Sequence, residues 1–494
     1  MTAPSDSVLL PLSPRDAAIG GVGLSLAFVL EARPGDLDVE AVRAAVGRVV
    51  AKWRLLAGRV EQVPDGYAVR APTGELPSGS LVFEVVDKGT EPSPFASLPP
   101  LAATQGHLIP LPGLALIKAP GVPSSLAEYA KKDWPITSWL VTVFADATVV
   151  GLSVPHGVFD ATGLAIVTKA LDAELHGESW TAPQLCTENQ LEKRLGEVEQ
   201  LVFSQPEKEA TPPPMVGWTG AWPPQNVARL LADGAYERMW HKAEDGCLFV
   251  GKELLAPLVK EVKERVARET DGEEFVSEGD VLVNWLFQAV YSNDPCPPES
   301  FHVSCAVSLR DLVSTPTLDL SSYPHNAVSG YSLNSPLPLA TSTFLRTPLA
   351  SLAQQHRRLL AASRTLPAVQ ALLEWVRTHT SAAWPAVPQA EVPWLRPPPW
   401  GTRGGGTQYW IYSDQRAAGM PLVRWPKKGG EETGEELVLK AFLELGTSLN
   451  QFVAVNDLPG QGWIFTGMMR RARWESARQA VEGLKRRVVD AQTC

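Results

Sequence analysis

The feature that most constrains this chain is a pair of apolar, β-branched runs, Trp139 to Phe144 and Val149 to Val154, folded about Ala145-Asp146-Ala147. Runs of this kind around a short polar turn read as a hairpin of buried strands. The second run stops at Val154-Pro155-His156-Gly157-Val158-Phe159-Asp160-Ala161-Thr162-Gly163. Beyond it, Leu164, Ile166, Val167 and Leu171 have helical spacing, so Asp160 and Thr162 stand where a helix's first turn takes capping acceptors. His156 and Asp160 therefore share one strand-turn-helix corner. A histidine at a strand end projects into a cleft more readily than one inside an element. An imidazole with an ordinary pKa of about 6.5 can take a proton from an alcohol or amine and return it. His156 is thus a candidate general base.

Spacing alone does not carry this reading, because His241-Lys-Ala-Glu-Asp245 repeats it. No apolar strand leads into that second copy and no strong helical stripe follows it. We read it as a chance match.

A chain of 494 residues exceeds what one hydrophobic core usually serves, so its length predicts two domains or three. A net charge of −10 argues against a protein built to grip nucleic acid or an anionic membrane, which takes concentrated Lys and Arg. The longest apolar stretch, Ala17 to Leu30, is broken by glycines and is too short to cross a bilayer. No basic segment precedes an apolar one at the N-terminus, so a cytoplasmic location is the expectation, with a monomer as the default. The five cysteines are scattered and form no Cys-x-x-Cys pair, which fits neither a disulfide framework nor a zinc site. Gly404 to Gly406 lacks the Gly-Lys-Ser/Thr ending of a phosphate loop and reads as a flexible loop. No metal or bound redox cofactor is expected.

Val8 to Asp16 reads as a short strand running into a turn, Val22 to Leu30 as a strand, and Asp38 as the cap of an amphipathic helix running to about Arg54, stopped near Gly58. Leu191 to Leu201 reads as a short polar helix. Residues 204 to 225, with a Pro-Pro-Pro and a Pro-Pro, read as a crossover between a domain at 1–203 and a domain at 226–494. The second domain opens with a strand near Cys247 and two helices, over Leu255 to Val266 and Val281 to Val290. A strictly alternating strand, Val303, Cys305, Val307 and Leu309, follows and delivers Arg310 to a loop ending in Tyr323-Pro324-His325-Asn326-Ala327-Val328. Thr347 reads as a helix cap before Pro348, and a second helix as covering Ala368 to Thr378. Strands Gln408 to Tyr412 and Leu437 to Leu445 and a terminal helix from Met469 to Val489 complete the reading. Mixed strands and helices in both halves, without regular alternation, predict two α+β domains.

Several segments, in order, resemble the BAHD acyltransferases, and among them the fungal branch with trichothecene acetyltransferase-like proteins. They are Leu12-Ser13-Pro14-Arg15-Asp16, the helix into Leu56-Ala57-Gly58-Arg59, the hairpin into His156 to Gly163, and the strand into Arg310 followed by Tyr323-Pro-His-Asn326. Together they span nearly the full chain. The resemblance implies two similar mixed-sheet domains of the chloramphenicol acetyltransferase kind, joined by a long crossover, with the active site in a channel between them. It implies an acyl-coenzyme A co-substrate and a small-molecule, secondary-metabolite acceptor with a hydroxyl or amine, with His156 as base. Asp160 would point away from substrate and pair with an arginine, for which Arg310 is the candidate. Asn326 and Gly163 would line or support the channel. One departure stands out: the family's Asp-Phe-Gly-Trp-Gly element survives only as Asp414-Gln-Arg-Ala-Ala-Gly419-Met-Pro421, without its aromatics.

Two other readings stay open at this level. A condensation-type enzyme fed by a carrier protein shows a doubled histidine and a glycine after the aspartate, where this chain has Pro155 and Ala161. A non-catalytic binding protein on the same scaffold is the other.

Overall fold

The computed structural model describes residues 6–64, 66–97, 108–110, 114–203, 236–334, 339–370, 407–430, 435–445, 451–458 and 460–493. The 204–225 crossover, the Gly404 to Gly406 run and most of the helix expected over Ala368 to Thr378 lie outside these residues.

The hairpin forms the centre of the first sheet. Ser138–Phe144 and Thr148–Pro155 pair antiparallel, Gly23–Glu31 flanks the second of them, and Val82–Lys88 adds in parallel at the far edge. All eight residues of Thr148–Pro155 are buried, which is why this stretch reads as a continuous apolar run and not an alternating one. The fifth strand, Val438–Leu445, comes from the other end of the chain and pairs with Gly23–Glu31. Helix Val39–Lys52 is capped by Asp38, whose side chain accepts from the Ala41 amide. A 3-10 turn, Arg54–Ala57, separates that helix from Gly58. Gly58 is extended, not left-handed as a helix-stopping glycine would be; it is needed because a Cβ there would lie 2.5 Å from Val69 Cγ1 and 2.8 Å from the Leu55 carbonyl.

The second sheet runs Val328–Ser332, Ser300–Ser308, Thr407–Asp414, Phe452–Leu458, Gly462–Arg470, Ala243–Gly251 and Leu108–Pro110, with Leu339–Ala340 beside Ser300–Ser308. The halves of the chain thus trade strands, Leu108–Pro110 one way and Val438–Leu445 the other. One core packs about the first sheet and its helices; another holds Val303, Cys305, Trp410, Phe465 and Trp474 between the second sheet and its helices. A small satellite of Leu191, Leu195, Leu309, Val313 and Tyr323 ties helix Gln190–Phe203 to the segment after Arg310.

Three expectations are corrected. The terminal helix starts at Arg471, not Met469, because Gly462–Arg470 is a strand. That strand and Phe452–Leu458 escape the pattern reading because both are central and nearly all buried, so no alternation marks them. Thr347 does not cap the following helix: its hydroxyl turns back to the Thr343 carbonyl, 2.8 Å away, at the end of helix Thr341–Arg346.

Candidate active site

His156 follows directly on Thr148–Pro155, and its main chain is gripped on both sides. Its N–H donates to the Val22 carbonyl at 3.1 Å, and its C=O accepts from Asn326 Nδ2 at 3.0 Å. The ring is held by Nδ1, 3.0 Å from the Phe159 carbonyl. A carbonyl only accepts, so Nδ1 carries the proton and Nε2 keeps its lone pair. Among the described residues no group hydrogen bonds to Nε2. Protein atoms surround the imidazole closely, yet part of it remains open to solvent. Burial lowers its pKa below the ordinary value, against opposing pulls from Asp160, the Phe159 carbonyl and Asp16. The ring is therefore neutral at neutral pH, the form a general base requires.

Asp160 is the N-cap of helix Ala161–Leu175. Its Oδ1 accepts from the Gly163 amide at 3.0 Å. Arg310 meets the same carboxylate with two parallel bonds, Nη2 to Oδ1 and Nη1 to Oδ2, both 2.9 Å, and the Ala327 amide adds a third donor type at 3.2 Å. The remaining guanidinium donors go to the Tyr323 carbonyl at 2.9 Å, the His325 carbonyl at 2.7 Å and the Ser308 hydroxyl at 3.5 Å. Both side chains are nearly sealed, 3% and 4% exposed. Every acceptor site is filled, which is what makes a buried ion pair tolerable. Gly163 lets the helix approach this segment: a Cβ there would lie 2.1 Å from the Pro324 carbonyl.

The structure brings His156, Asp160, Gly163, Arg310 and Asn326 into one constellation across 170 residues of sequence. It adds Asp16, which enters the sequence reading only in the segment Leu12 to Asp16 that carries the resemblance. Ser13 and Asp16 cap helix Pro14–Ile19 reciprocally. The free side of Asp16 accepts from Asn326, from its N–H at 3.1 Å and its Nδ2 at 2.8 Å. Asn326 Oδ1 is buried with no partner among the described residues. His325 sends its own Nδ1 to the Val158 carbonyl at 3.0 Å. The Tyr323 to His325 segment also lines a cavity of about 330 Å³ with Leu10, Leu55 and Asn189; His156 is not among its walls.

The other His-x-x-x-Asp copy forms no such site. His241 lies edge-on to Tyr236, and Asp245 sits in a strand opposite Met468. Around the altered Asp414 to Pro421 element, Arg416 pairs with Asp414 at 2.8 Å, and Gln415 reaches across to Glu444 of the first sheet at 2.9 Å. Trp425, just beyond, is buried against Phe28. Among the described residues no cluster of three or more His, Cys, Asp or Glu is arranged to hold a metal ion, and no helix is long and apolar enough to cross a membrane.

No protein-family profile matches the chain. Among curated proteins it is 25% identical over 375 residues to O-acyltransferase pboC of Aspergillus ustus, covering 70% of this chain and 72% of that one. It is 26% identical over 364 residues to acetyltransferase pyiB of Pyricularia grisea, covering 70% and 68%. Its fold matches that of F. graminearum TRI101 complexed with coenzyme A and T-2 mycotoxin, with a TM-score of 0.61 at 13% identity over 94% of this chain and 96% of that one. Vinorine synthase superposes with a TM-score of 0.54 at 12% identity over 96% and 92%. These likenesses to fungal acyltransferases, together with the shared two-sheet fold, support a BAHD-like fungal acyltransferase family for the chain.

Proposed function

We propose that the protein moves an acyl group from an acyl-coenzyme A thioester to a hydroxyl, or an amine, of a small secondary-metabolite acceptor, with His156 as general base. The observation that carries this reading is the imidazole, whose Nδ1 is committed to Phe159 and whose Nε2 is free. The relatives' names, O-acyltransferase and acetyltransferase, and the coenzyme A bound by TRI101 supply the reaction class and the donor. Nε2 takes the acceptor's proton as its oxygen bonds to the thioester carbonyl carbon. When the carbon–sulfur bond breaks, the protonated ring returns that proton to the departing thiolate. Asp160 and Arg310 move no proton; they hold the turn that aims the ring.

The second sheet supports a channel beside this centre. One row of paired residues crosses it on a single face: Gly330, Ala306, Ser413, Ala454, Thr466 and Cys247. At the Cys247 end that face is sealed in the first core with Phe249 and Ile464. At the other end Gly330, Ala306 and Ser413 stay partly open, and the same strand leads through Ser308 to Arg310. The small side chains leave room for substrate between the sheets. In this reading the two sheets are the cores of two domains joined by the 204–225 crossover, in a cytoplasmic, monomeric enzyme.

The test is release of free thiol from acetyl- and longer acyl-coenzyme A with a panel of alcohols and amines. His156→Ala is expected to lower the acceptor-dependent rate by about 10²- to 10⁴-fold, the usual worth of a positioned base. Activity kept within a few-fold removes His156 from the mechanism.

A further inference from the structure

We propose that the cavity behind the Asp160–Arg310 pair is a second binding site, separate from the His156 centre, for a neutral, mostly apolar molecule that carries a hydroxyl group. Its volume of about 330 Å³ falls at the small end of the roughly 300 to 1,000 Å³ that ligand pockets occupy. The walls come from strand Ser7–Pro11, the turn at Leu55, and stretches within 183–190 and 317–325, and His156 is not one of them. Leu10, Leu55, Leu185 and Leu318 supply an apolar lining. Among the described residues no Lys or Arg borders the cavity. Its carboxylates are engaged, Glu188 by Lys193 at 2.8 Å and Asp319 by the Ser321 N–H and hydroxyl at 2.8 and 2.9 Å. Neither an anion, such as a coenzyme A phosphate, nor a cation meets an unmatched charge there, so the occupant is neutral.

Two wall groups lack partners, and they are complementary. Asn189 Oδ1 accepts from the Tyr323 hydroxyl at 2.9 Å and from the Glu192 N–H at 3.0 Å. A backbone N–H can only donate, which settles which end of the carboxamide is the oxygen. Asn189 Nδ2 is buried and has no acceptor. A buried donor left without an acceptor is costly, and a ligand oxygen removes that cost. His325 Nδ1 lies 3.0 Å from the Val158 carbonyl and so carries the proton. Its Nε2 is therefore an acceptor, with no partner among the described residues. The ring stands edge-on to Tyr323, centroids 5.3 Å apart, so both side chains are held on the wall. One donor and one acceptor in an apolar lining match an alcohol, whose hydroxyl donates through its hydrogen and accepts through its oxygen.

The same wall is the back of the catalytic corner. The Tyr323 and His325 carbonyls take Arg310 donors at 2.9 and 2.7 Å, and the Pro324 carbonyl is what a Cβ on Gly163 would strike. The His325 ring in turn holds Val158, two residues beyond His156. A ligand that fills the cavity braces Tyr323 to His325 and with them the segment on which Arg310 is fixed. Binding here needs neither coenzyme A nor turnover, so it stands apart from the acyl-transfer reading.

The experiment is an NMR titration of the full-length protein carrying isotope-labelled histidine, with the His325 signal assigned by its loss in His325→Gln. Cyclohexanol is the probe, and cyclohexyl methyl ether, which accepts a hydrogen bond but cannot donate one, is its counterpart. Cyclohexanol is expected to move the His325 signal saturably, with a Kd of about 1 to 20 mM for so small a molecule. The ether should bind about three- to tenfold more weakly, the worth of the bond to His325 Nε2. A signal that stays in place, or drifts without saturating up to about 50 mM cyclohexanol, overturns the site. So does an ether that binds as tightly as the alcohol. Leu318→Trp puts an indole into the cavity and leaves His325 where it is, so the shift should vanish. The same saturable shift in that variant means the alcohol sits elsewhere, and the assignment falls. Where Leu318→Trp does not fold, Asn189→Asp decides: it keeps the oxygens for Tyr323 and Glu192, loses the donor, and should weaken cyclohexanol about three- to tenfold. An unchanged affinity in that variant refutes the proposal.

Discussion

Glu444 offers a stability test of how the two sheets are joined. It belongs to Val438–Leu445, the strand that the C-terminal half lends to the first sheet, and is 5% exposed. Oε1 accepts from Gln415 Nε2 at 2.9 Å, and Gln415 in turn accepts from Asn456 of the second sheet at 3.3 Å. Among the described residues Oε2 has no partner and no cation acts on the carboxyl. Burial therefore raises the carboxyl from 4.5 to about 7, with Gln415 and Asn456 only partly opposing it. Each tenfold step in proton affinity is worth about 1.4 kcal/mol, so the displacement corresponds to roughly 3 kcal/mol. Because the folded pKa lies above the unfolded one, the unfolded chain releases this proton first as pH rises. Stability is lost from about pH 4.5 upward and the loss levels off above about pH 7. Glu444→Gln keeps the shape without the ionisation. Urea unfolding of both proteins at pH 5 and pH 8 cancels every other titrating group in the difference. The variant should gain about 2 to 3 kcal/mol on wild type between those pH values. Differences that agree within about 0.5 kcal/mol at the two pH values would show that Glu444 ionises in the fold as freely as in the unfolded chain.

Three further outcomes follow from the site. Asp160→Ala strips a buried arginine of its partner and should cost about 3 to 5 kcal/mol, read as a lowered Tm together with lost activity; an unchanged Tm contradicts the lock. Gly163→Ala forces a Cβ to within 2.1 Å of the Pro324 carbonyl, between two segments the Asp160–Arg310 pair already fixes. It should cost about 1 to 3 kcal/mol by urea unfolding, and a neutral effect would mean the helix can move away. Because burial holds the His156 pKa below its ordinary value, the acidic limb of kcat/KM against pH should have its midpoint below about pH 6.5; a midpoint above that places a different group, or a less buried ring, in control.

How much of this was legible in the sequence depends on the range of the forces involved. The hairpin, the Asp160 cap and helix Val39–Lys52 are local: β-branched runs, a short acceptor before an apolar stripe and helical periodicity act within a few residues. The pairing of Arg310 with Asp160 spans 150 residues, and nothing in the charge pattern selects Arg310 over other arginines; only the family resemblance singled it out. Asn326 was a candidate channel residue on the same basis, but its hold on the His156 carbonyl could not be read from Tyr-Pro-His-Asn. Leu12 to Asp16 reads locally as a strand end and a turn and is singled out only by the resemblance; the fold makes Ser13 and Asp16 a capping box on helix Pro14–Ile19 and brings a second pair of bonds to Asp16 from a loop more than 300 residues away. Strands Phe452–Leu458 and Gly462–Arg470 went unseen for a different reason. Covered on both faces, they have no polar side to alternate with, and their burial is a property of the assembled sheets. The same argument explains Glu444. A carboxylate in Leu-Glu-Leu reads as the solvent face of an edge strand, yet the exchange of strands between halves turns that face inward, where it meets Gln415. What the sequence encodes locally is the corner that carries the histidine; what makes that corner a candidate active site is contributed by residues that only the closed fold brings to it.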